Sequence, residues 1–541
     1  MKRGARLWPL AMSVLVGCGG GGGGAPVPQP DFTMTDSGAV SVIQGATSAP
    51  ITVGVAGSNG FTGVVTVSIS GVPTGAVVSP AFPLSIKAGS AAQFTIAIPG
   101  STPPGNTTVT LTGTSAGTSH AAPPVTLTIM PAIQTSQSNG VLYLTSHSNG
   151  HTVRIGLDTA WGGSIVEVSL DGTNFVNAHD TGREVQPGLY AGSDSYIDYN
   201  CNPCNPPWGW DPVLGGDKYG HGSPVLSQQM GATTIDVKGQ PLQWDPDNFG
   251  GGANSPVTSD VTVEQTVSLV PGYPLAFKVH WVITHTGTDQ HYNTQQELPA
   301  VYVGSQYNVL SYYGGGSPWT NDTVTVNASP PASPDMPLFY STEEWVAYSD
   351  QSGNGLSIIA PGQYPYVVAT TFGGGGTGPA GNATNYVRPF SVFTFGPSVV
   401  LERDIYLIPG DVTTARSIAY ALHDTGPAPD VLPPMGNMDA PGAGASISGT
   451  AVTSAGWAVD NIAVSSVEVL VDGADLLSPV LNTDRPDVVK AFPKLAPLQC
   501  GWNETFDSTK IANGPHVFTV RITDTAGNVA LLPPVRVIVS N

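Results

Sequence analysis

The chain has little charge, few basic residues and no long apolar run after its first residues. Only 10% of its 541 residues are charged, and the formal net charge is −20 because 38 acidic residues outnumber 18 basic ones. Binding to nucleic acid needs clustered lysine and arginine, which this composition does not supply. A membrane-spanning helix needs about 20 apolar residues, and every apolar run beyond Val16 is shorter. The composition therefore argues against a nucleic-acid partner and a transmembrane helix.

The N-terminus combines basic residues, an apolar run and a cysteine. Three basic residues precede the apolar run 7–16, which is followed by Gly17 and Cys18. This order resembles a bacterial lipoprotein signal peptide spanning residues 1–18, in which Cys18 is acylated and becomes the mature N-terminus. An ordinary secretory signal is the alternative. The resemblance implies an exported protein, anchored by lipid to a bacterial membrane at the outer membrane or cell surface, and residues 19–30 are typical of a tether.

Three further cysteines are present. Cys201 and Cys204 lie in a segment rich in proline and tryptophan, which in an exported protein favours a local disulfide. A redox pair would open a helix after a strand, and no helix is predicted there. A zinc site would need two more ligands, and His221 is only a distant candidate. We expect Cys201 and Cys204 to be bonded and Cys500 to be a buried thiol.

Residues 31–131 alternate apolar and polar positions in short segments separated by turn residues. Alternation over about 100 residues is typical of a β-sandwich. The stretches 60–67, 70–75 and 111–117 resemble the immunoglobulin-like modules of exported bacterial proteins. That resemblance implies a spacer or adhesive module.

Residues 441–541 show a second pattern of this kind, after a predicted linker at 426–440. Asp472-Gly473 predicts a two-residue hairpin turn, and Asp524 and Asn528 are expected to close the last hairpin. The segments that resemble another bacterial immunoglobulin-like repeat are 448–451, 456–461, 464–473, 485–488, 513–516 and 524–528. The resemblance implies a structural module.

Between them, residues 134–425 consist mainly of strand-like runs, with one helix predicted at 413–423. A body of this size built from strands predicts a large sandwich of two sheets. The predicted fold class is therefore all-β: an immunoglobulin-like sandwich, a large central domain and a C-terminal immunoglobulin-like sandwich.

The central region also carries two phrases that resemble a known class. Residues 161–165 contain Gly-Gly-x-Ile, and residues 180–186 contain Asp-x-Gly-Arg-x-x-Gln. Both resemble the galactose-mutarotase-like supersandwich class of carbohydrate-active proteins. The resemblance implies a concave sheet face that holds a sugar, where Asp180, Arg183 and Gln186 bind hydroxyls or a carboxylate. The alternative is an aspartate–arginine pair that locks a turn.

Aromatic residues lie in loops rich in glycine, proline and asparagine. Trp208, Trp210 and Trp244 are the tryptophans that we predict to contact a sugar, because pyranose rings stack on exposed aromatic faces. Large loops also need buried aromatic anchors, which is the alternative for each of these residues.

Candidates for proton transfer lie nearby in the sequence. In aldose epimerases a histidine protonates the ring oxygen and a glutamate takes the anomeric proton, and His291 and Glu297 would suit these roles if they met. The characteristic Asn-His-x-x-Phe-Asn phrase of epimerases is absent. A polysaccharide lyase would use a histidine or a tyrosine such as Tyr190. For each histidine, a structural role at a strand end is the alternative.

A glycoside hydrolase would need two carboxylates about 5–10 Å apart, such as Glu297 with Asp180 or Glu343. A cofactor is not predicted. Asp245 and Asp247 alternate with other oxygen donors as in a calcium loop but lack the remaining acidic positions, so an Asx turn competes with a structural calcium ion.

These observations predict a surface-anchored lipoprotein that binds carbohydrate or processes polysaccharide through its central domain. The alternative is a non-catalytic structural or adhesion protein of the cell surface. The two hypotheses differ in whether the candidate residues converge on one face.

Overall fold

The computed structural model describes residues 28–192, 208–328, 330, 338–363, 365–372, 383–426 and 428–541. The chain divides into two compact units, which meet in the sequence between Pro131 and Ala132. Regular structure in the described residues is almost entirely strand, which confirms the predicted all-β class. Among these residues, none of the helices combines the length and the apolar character that crossing a membrane requires.

The first unit is a sandwich of two sheets. Its strands β1–β10 are Asp31–Asp36, Val40–Ile43, Ile51–Ser58, Val64–Ser70, Val77–Ser79, Leu84–Lys87, Ser90–Ala97, Gly105–Ser115, Thr118–Ala121 and Val125–Met130. One sheet has the order β1-β3-β7-β5, and the other has the order β2-β10-β8-β4-β6 with β9 beside β8. Val53, Val67 and Leu111 are fully buried between the sheets, while Thr66 and Ser68 point outward. This alternation is the reason why the sequence folds into strands here.

The second unit begins with a large set of strands. Strands β11–β22 are Ile133–Ser138, Val141–Ser148, His151–Asp158, Ser164–Leu170, Thr173–Asn174, Val185–Gly188, Ala191–Gly192, Trp208–Trp210, Pro212–Val213, Val225–Met230, Thr234–Gly239 and Leu242–Gln243. Strands β23–β34 are Val261–Val270, Tyr273–His285, His291–Gly304, Val309–Tyr312, Thr325–Asn327, Leu338–Tyr340, Trp345–Ser349, Asn354–Ile359, Pro365–Phe372, Thr384–Pro389, Ser391–Phe395 and Val400–Asp411.

Two of the resulting sheets are large and pack against each other. The 13-stranded sheet has the main order β11-β12-β13-β14-β16-β25-β32-β31-β28, and the 9-stranded sheet has the order β20-β21-β23-β24-β34-β30-β29-β26-β27. Ile155 and Val301 of the first share one core with Val279 and Leu407 of the second. The central region is thus a two-sheet sandwich.

Helix α1 (Val412–Asp424) follows β34 where a helix was predicted. The Asp411 carboxylate caps it, accepting hydrogen bonds from the amides of Thr413 at 2.8 Å and Thr414 at 3.3 Å. Ala415 and Ile418 bury its apolar side. Short 3₁₀ turns in the part of the chain that the structure describes are Thr159–Trp161, Pro246–Phe249 and Ser508–Lys510.

The C-terminal body contains two smaller sheets, of orders β35-β37-β40 and β36-β43-β41-β38-β39. Its elements β35–β43 and α2 are Met435–Ala440, Ser446–Ile447, Val452–Val459, Val464–Val471, Ala474–Leu477, Gly501–Phe506, Gly514–Asp524, Val529–Leu531, Val535–Val539 and the helix Pro486–Ala491. Because β35 pairs with β37, this body begins at Met435, inside the segment predicted as a linker.

The C-terminal body packs on the central sandwich within the second unit. One apolar cluster joins residues of β25 and β32 to residues of the C-terminal body: Ala300, Tyr302, Tyr386, Phe390, Met435, Val459, Val488, Leu495 and Cys500. Cys500 is a fully buried free thiol, as predicted. The C-terminal body therefore covers part of the outer face of the 13-stranded sheet.

Candidate functional site

The pairing of β16 with β25 places the sequence motif at residues 180–186 close to Glu297. Val185 pairs with Val301, Gln186 with Ala300 and Gly188 with Glu297, across an irregularity in the register. Asn177 at the start of the loop also donates its amide to the Tyr302 carbonyl at 2.9 Å. The 177–186 loop therefore lies beside the strand that carries Glu297.

Two tyrosine hydroxyls converge on the Glu297 carboxylate. The Tyr190 hydroxyl donates to Glu297 Oε2 at 3.1 Å, and the Tyr386 hydroxyl donates to Oε1. A Cβ on Gly188 would lie 3.1 Å from Glu297 Oε2 and 3.3 Å from the Tyr190 hydroxyl, so these two groups pack closely against the glycine. We call Glu297, Tyr190 and Tyr386 the Glu297 cluster.

The surroundings keep both tyrosines protonated. Burial, followed by the nearby Glu297 charge, raises the pKa of Tyr190 and of Tyr386 well above the ordinary value. The Gln296 amide fixes the backbone of Tyr190, accepting from its N–H at 2.7 Å and donating to its carbonyl at 2.9 Å. Glu297 and Tyr190 are half-buried. The cluster thus consists of two hydroxyl donors that the surrounding structure fixes around one carboxylate.

Arg388 adds a positive charge beside the same strand. It follows Tyr386 by two positions on β32, so both side chains lie on one face of the sheet. Its guanidinium donates to the Gln296 carbonyl at 3.2 Å and to Gln295 Oε1 at 2.7 Å. Neither Tyr386 nor Arg388 was predicted from the sequence, because local pattern does not reveal the pairing of β25 with β32.

The 177–186 loop presents a second polar group. Asp180 Oδ2 lies 3.5 Å from Arg183 Nε, and Asp180 Oδ1 accepts from the Gly182 amide at 3.0 Å. The pair therefore does lock a turn, which was the structural alternative. The Asp180 side chain is nevertheless 45% exposed and remains accessible. Burial, followed by the Glu297 charge, raises the pKa of Tyr302, while the nearby Arg183 charge acts to lower it and the Asp180 charge to raise it. The Asp180–Arg183 turn and Glu297 therefore both lie near Tyr302.

Trp244 lies against this loop. Its ring atom Cη2 is 2.7 Å from the position that a Cβ on Gly182 would occupy, and the residue is partly exposed. The Trp244 amide donates to the Asp211 carbonyl at 2.8 Å, which fixes the backbone that carries the ring. An accessible indole therefore lies next to Asp180 and Arg183.

Gln186 and Glu184 are internal. The Gln186 side chain is 2% exposed, donates to the Thr181 carbonyl at 3.0 Å and accepts from the Gly215 amide. It holds the loop, whereas the sequence interpretation made it a substrate contact. Glu184 is fully buried, and burial raises its pKa well above the ordinary value.

The structure does not bring His291 to Glu297. Both lie on β25, and their separation of six residues corresponds to about 20 Å along an extended strand. His291 is 2% exposed, and its ring stacks on Trp210 with centroids 3.9 Å apart. Trp210 is itself 3% exposed. It is therefore a buried side chain that orders its loop, which was the alternative to contact with a sugar.

His291 belongs instead to a separate group of donors. The residues Asp260, His285, Asp289 and His291, here called the His–Asp cluster, place one ligand atom each within 4.8 Å of one another. Although burial opposes both shifts, the hydrogen bond between them lowers the pKa of Asp260 to about 2 and raises the pKa of His285. This group could hold a metal ion.

The two aspartates from which calcium was predicted are bridged by a lysine. Lys218 Nζ lies 2.6 Å from Asp245 Oδ1 and 2.7 Å from Asp247 Oδ2. Asp245 also accepts from the Asp247 amide at 3.3 Å at the start of a 3₁₀ turn. The ammonium neutralises the carboxylates that an ion would need, which argues against calcium there and favours the Asx turn.

Several predicted residues lie outside the described residues. They are Cys18, the pair Cys201 and Cys204, and the side chain of Trp208, of which only the backbone is described in β18. Their predicted roles remain predictions.

Comparisons with known proteins were made for the whole chain. No family model and no curated protein matches it. A solved endo-β-1,4-mannanase from Thermotoga petrophila aligns over 24% of this chain and 24% of its own length, at 16% identity and a TM-score of 0.16. A polysaccharide lyase aligns over 72% of this chain and 46% of its own length, at 8% identity and a TM-score of 0.28.

An α-2-macroglobulin from Escherichia coli aligns over 95% of this chain and 44% of its own length, at 11% identity and a TM-score of 0.13. The chain spans less than half the length of each of these three proteins. Their TM-scores are all too low to support an argument about fold or function.

Proposed function

We propose that the second unit binds a carbohydrate chain on the face formed by the Glu297 cluster, the exposed Asp180–Arg183 turn and Trp244. The observation that carries this proposal is the half-buried Glu297 carboxylate, held by two phenols. A sugar hydroxyl can replace a phenol as donor to a carboxylate with little change in geometry. The same ligand can stack its apolar face on Trp244 and bond Asp180 and Arg183 with further hydroxyls.

A lyase reaction on a uronic-acid polysaccharide is the second candidate, and the contact between Tyr190 and Glu297 favours it. Glu297 would remove the proton alpha to the uronate carboxylate while Arg183 neutralises that carboxylate. The electron pair would form a carbon–carbon double bond as the glycosidic C–O bond breaks, and the protonated Tyr190 would give its proton to the leaving oxygen. The raised pKa of Tyr190 suits an acid and not a base.

Binding to a panel of neutral and uronic-acid polysaccharides tests the proposal. The full mature chain is titrated by calorimetry, and the same mixtures are assayed for new reducing ends and for unsaturated uronates. We expect binding to at least one polysaccharide, weakened by Glu297→Gln and unchanged by Glu264→Gln. Glu264 is the matched control because it lies on the other large sheet and is exposed.

Binding without new reducing ends or unsaturated uronates would exclude the lyase reaction and identify the chain as a carbohydrate-binding protein. The absence of binding to any polysaccharide would favour the non-catalytic surface protein.

Location is a separate proposal: we infer that Cys18 carries a lipid that holds the mature chain on a bacterial membrane. Cys18→Ser should move the protein from the membrane fraction to the soluble fraction, and retention of the variant on the membrane would contradict the anchor.

A further inference from the structure

The His–Asp cluster lies where three strands begin or end. Asp260 immediately precedes β23, His285 ends β24 and His291 begins β25, with Asp289 in the turn between the last two. The clustered ligand atoms therefore come from chain segments that the sheet already holds together. The His–Asp cluster shares no residue with the Glu297 cluster.

The distances within the cluster suit a small cation. His285 Nε2 lies 3.0 Å from Asp260 Oδ2 and 3.4 Å from Asp289 Oδ1, and His291 Nε2 lies 3.6 Å from Asp289 Oδ2. Ligands bound tetrahedrally at the usual zinc distances are about 3.3 Å from one another. Two carboxylates and two neutral imidazoles carry a charge of −2, which balances a divalent ion.

The second layer of contacts orients the ligand atoms. His285 Nδ1 lies 2.8 Å from the Gly396 carbonyl, which only accepts, so Nδ1 carries the hydrogen. The lone pair of Nε2 then faces two carboxylate oxygens, and either a proton or a cation must lie between them. A backbone carbonyl on the far nitrogen is also the usual partner of a metal-binding histidine.

Trp210 fixes two further members of the cluster. Its indole N–H donates to Asp260 Oδ1 at 2.9 Å, which leaves Oδ2 directed toward His285. Its ring stacks on His291 at an interplanar angle of 16°. One buried side chain thus sets the direction of a carboxylate and of an imidazole.

Gly287 leaves open the space into which the ligand atoms point. A Cβ on this residue would lie 2.2 Å from Asp260 Oδ2, 2.5 Å from His285 Nε2 and 2.6 Å from Asp289 Oδ1. Its φ angle is not in the left-handed region, so backbone conformation alone does not require a glycine there. The absence of a side chain on Gly287 instead keeps the space between the ligand atoms open.

We propose that the His–Asp cluster binds one zinc ion. Imidazole and carboxylate ligands suit zinc, whereas calcium prefers oxygen ligands alone. Four protein ligands make a closed site, which is typical of a structural and not a catalytic zinc. The ion would tie the turn between β24 and β25 to the segment before β23, at the start of the strand that carries Glu297.

The first test uses the full mature chain, stripped with a chelator and titrated with zinc alone. We expect one tight site per chain and a melting temperature that rises by several degrees, about what binding at saturating zinc produces. Cobalt should give the intense visible bands of a tetrahedral site without a thiolate charge-transfer band. A thiolate band would assign the metal to Cys201 and Cys204 and overturn the proposal, as would the absence of a stoichiometric site.

The second test fills the site without removing a ligand. Gly287→Ala should weaken zinc binding at least 100-fold, and the matched Gly316→Ala should leave it unchanged, since a Cβ on Gly316 meets nothing within 4 Å. Asp289→Asn instead removes the charge of one proposed ligand, at a position 53% exposed, and should weaken zinc binding at least 10-fold without affecting the fold of the chelated protein. Zinc binding unaltered in both variants would show that His285 and Asp260 form only an ion pair.

Discussion

Two glutamates of the second unit, Glu297 and Glu343, accept hydrogen bonds from tyrosines but differ in what neutralises them. Arg416 contacts both oxygens of Glu343, at 2.8 and 2.9 Å, and Trp345 and Tyr420 donate to it as well. Glu343 is fully buried. Among the described residues, Glu297 receives only the hydroxyls of its cluster and forms no ion pair.

The difference teaches which carboxylate is available for a ligand. Burial acts to raise the pKa of Glu343, but the hydrogen bonds from Arg416, Tyr420 and Trp345 outweigh it and lower that pKa below its ordinary value. Every lone pair of Glu343 is directed at a protein donor, so it joins helix α1 to the sheet. Glu297 is half-buried, and its partners are the neutral hydroxyls of Tyr190 and Tyr386. Of these two glutamates, only Glu297 is partly exposed and lacks a charged partner among the described residues.

The largest expected effect breaks the pair at Glu343. Glu343→Gln leaves the Arg416 guanidinium, 12% exposed, without its charge partner, and removal of one member of such a buried pair costs about 3–5 kcal/mol. Urea unfolding of the full chain should show a lower midpoint for the second unit. Glu297→Gln should shift the same midpoint far less, and equal shifts would abolish the distinction between the two residues.

The next effect concerns ligand binding at Glu297. Hydrogen bonds to a charged group contribute about 1.5–3 kcal/mol, so Glu297→Gln should weaken polysaccharide binding about 10- to 100-fold. Calorimetry with the polysaccharide identified in the panel measures this change. Affinity retained in the variant would place the ligand elsewhere.

Trp244→Ala should have a smaller effect. Loss of a stacking surface for a sugar ring costs about 1 kcal/mol, or roughly fivefold in affinity. Trp319→Ala is the matched control, because Trp319 stacks on His423 near helix α1, with ring centroids 4.0 Å apart. If both substitutions weaken binding equally, Trp244 does not contact the ligand specifically, which would contradict its place in the binding face.

The remaining prediction concerns the dependence of stability on pH and comes from Asp211, which follows Trp210 in the chain and is fully buried. Burial raises the pKa of Asp211 to about 8 in the folded protein from 3.8. Between these values the folded state holds the proton and the unfolded state does not, so stability falls as pH rises from 4 toward 8. Asp211→Asn imitates the protonated acid, and its melting temperature should decline less between pH 5 and 8. Parallel curves for both proteins would contradict the shift.

Local patterns predicted the parts of the fold that depend on neighbouring residues. Asp472 and Gly473 have φ angles of 50° and 82°, as the predicted hairpin turn requires. Asp524 Oδ1 accepts from the amides of Gly527 at 2.6 Å and Asn528 at 2.8 Å, which closes the last hairpin as expected. Helix α1 was likewise predicted from a local segment.

The candidate site depended more on long-range pairing, which local pattern does not encode. Tyr386 reaches Glu297 across 89 residues of sequence, and Lys218 reaches Asp245 across 27. His291 and Glu297 were predicted to suit proton transfer only if they met, and residues six positions apart on one extended strand do not meet. The spacing of His285, Asp289 and His291 within seven residues was the visible signal of the His–Asp cluster, but each histidine was considered singly and Asp289 was not considered.

Polysaccharide binding by the wild-type chain and by its Glu297→Gln and Glu343→Gln variants tests the central claim most directly. We predict that Glu297→Gln loses affinity at temperatures where the chain is folded, while Glu343→Gln binds normally below its lowered unfolding temperature. Normal binding by Glu297→Gln, or no binding by the wild-type chain to any polysaccharide, would contradict the claim that this face recognises carbohydrate.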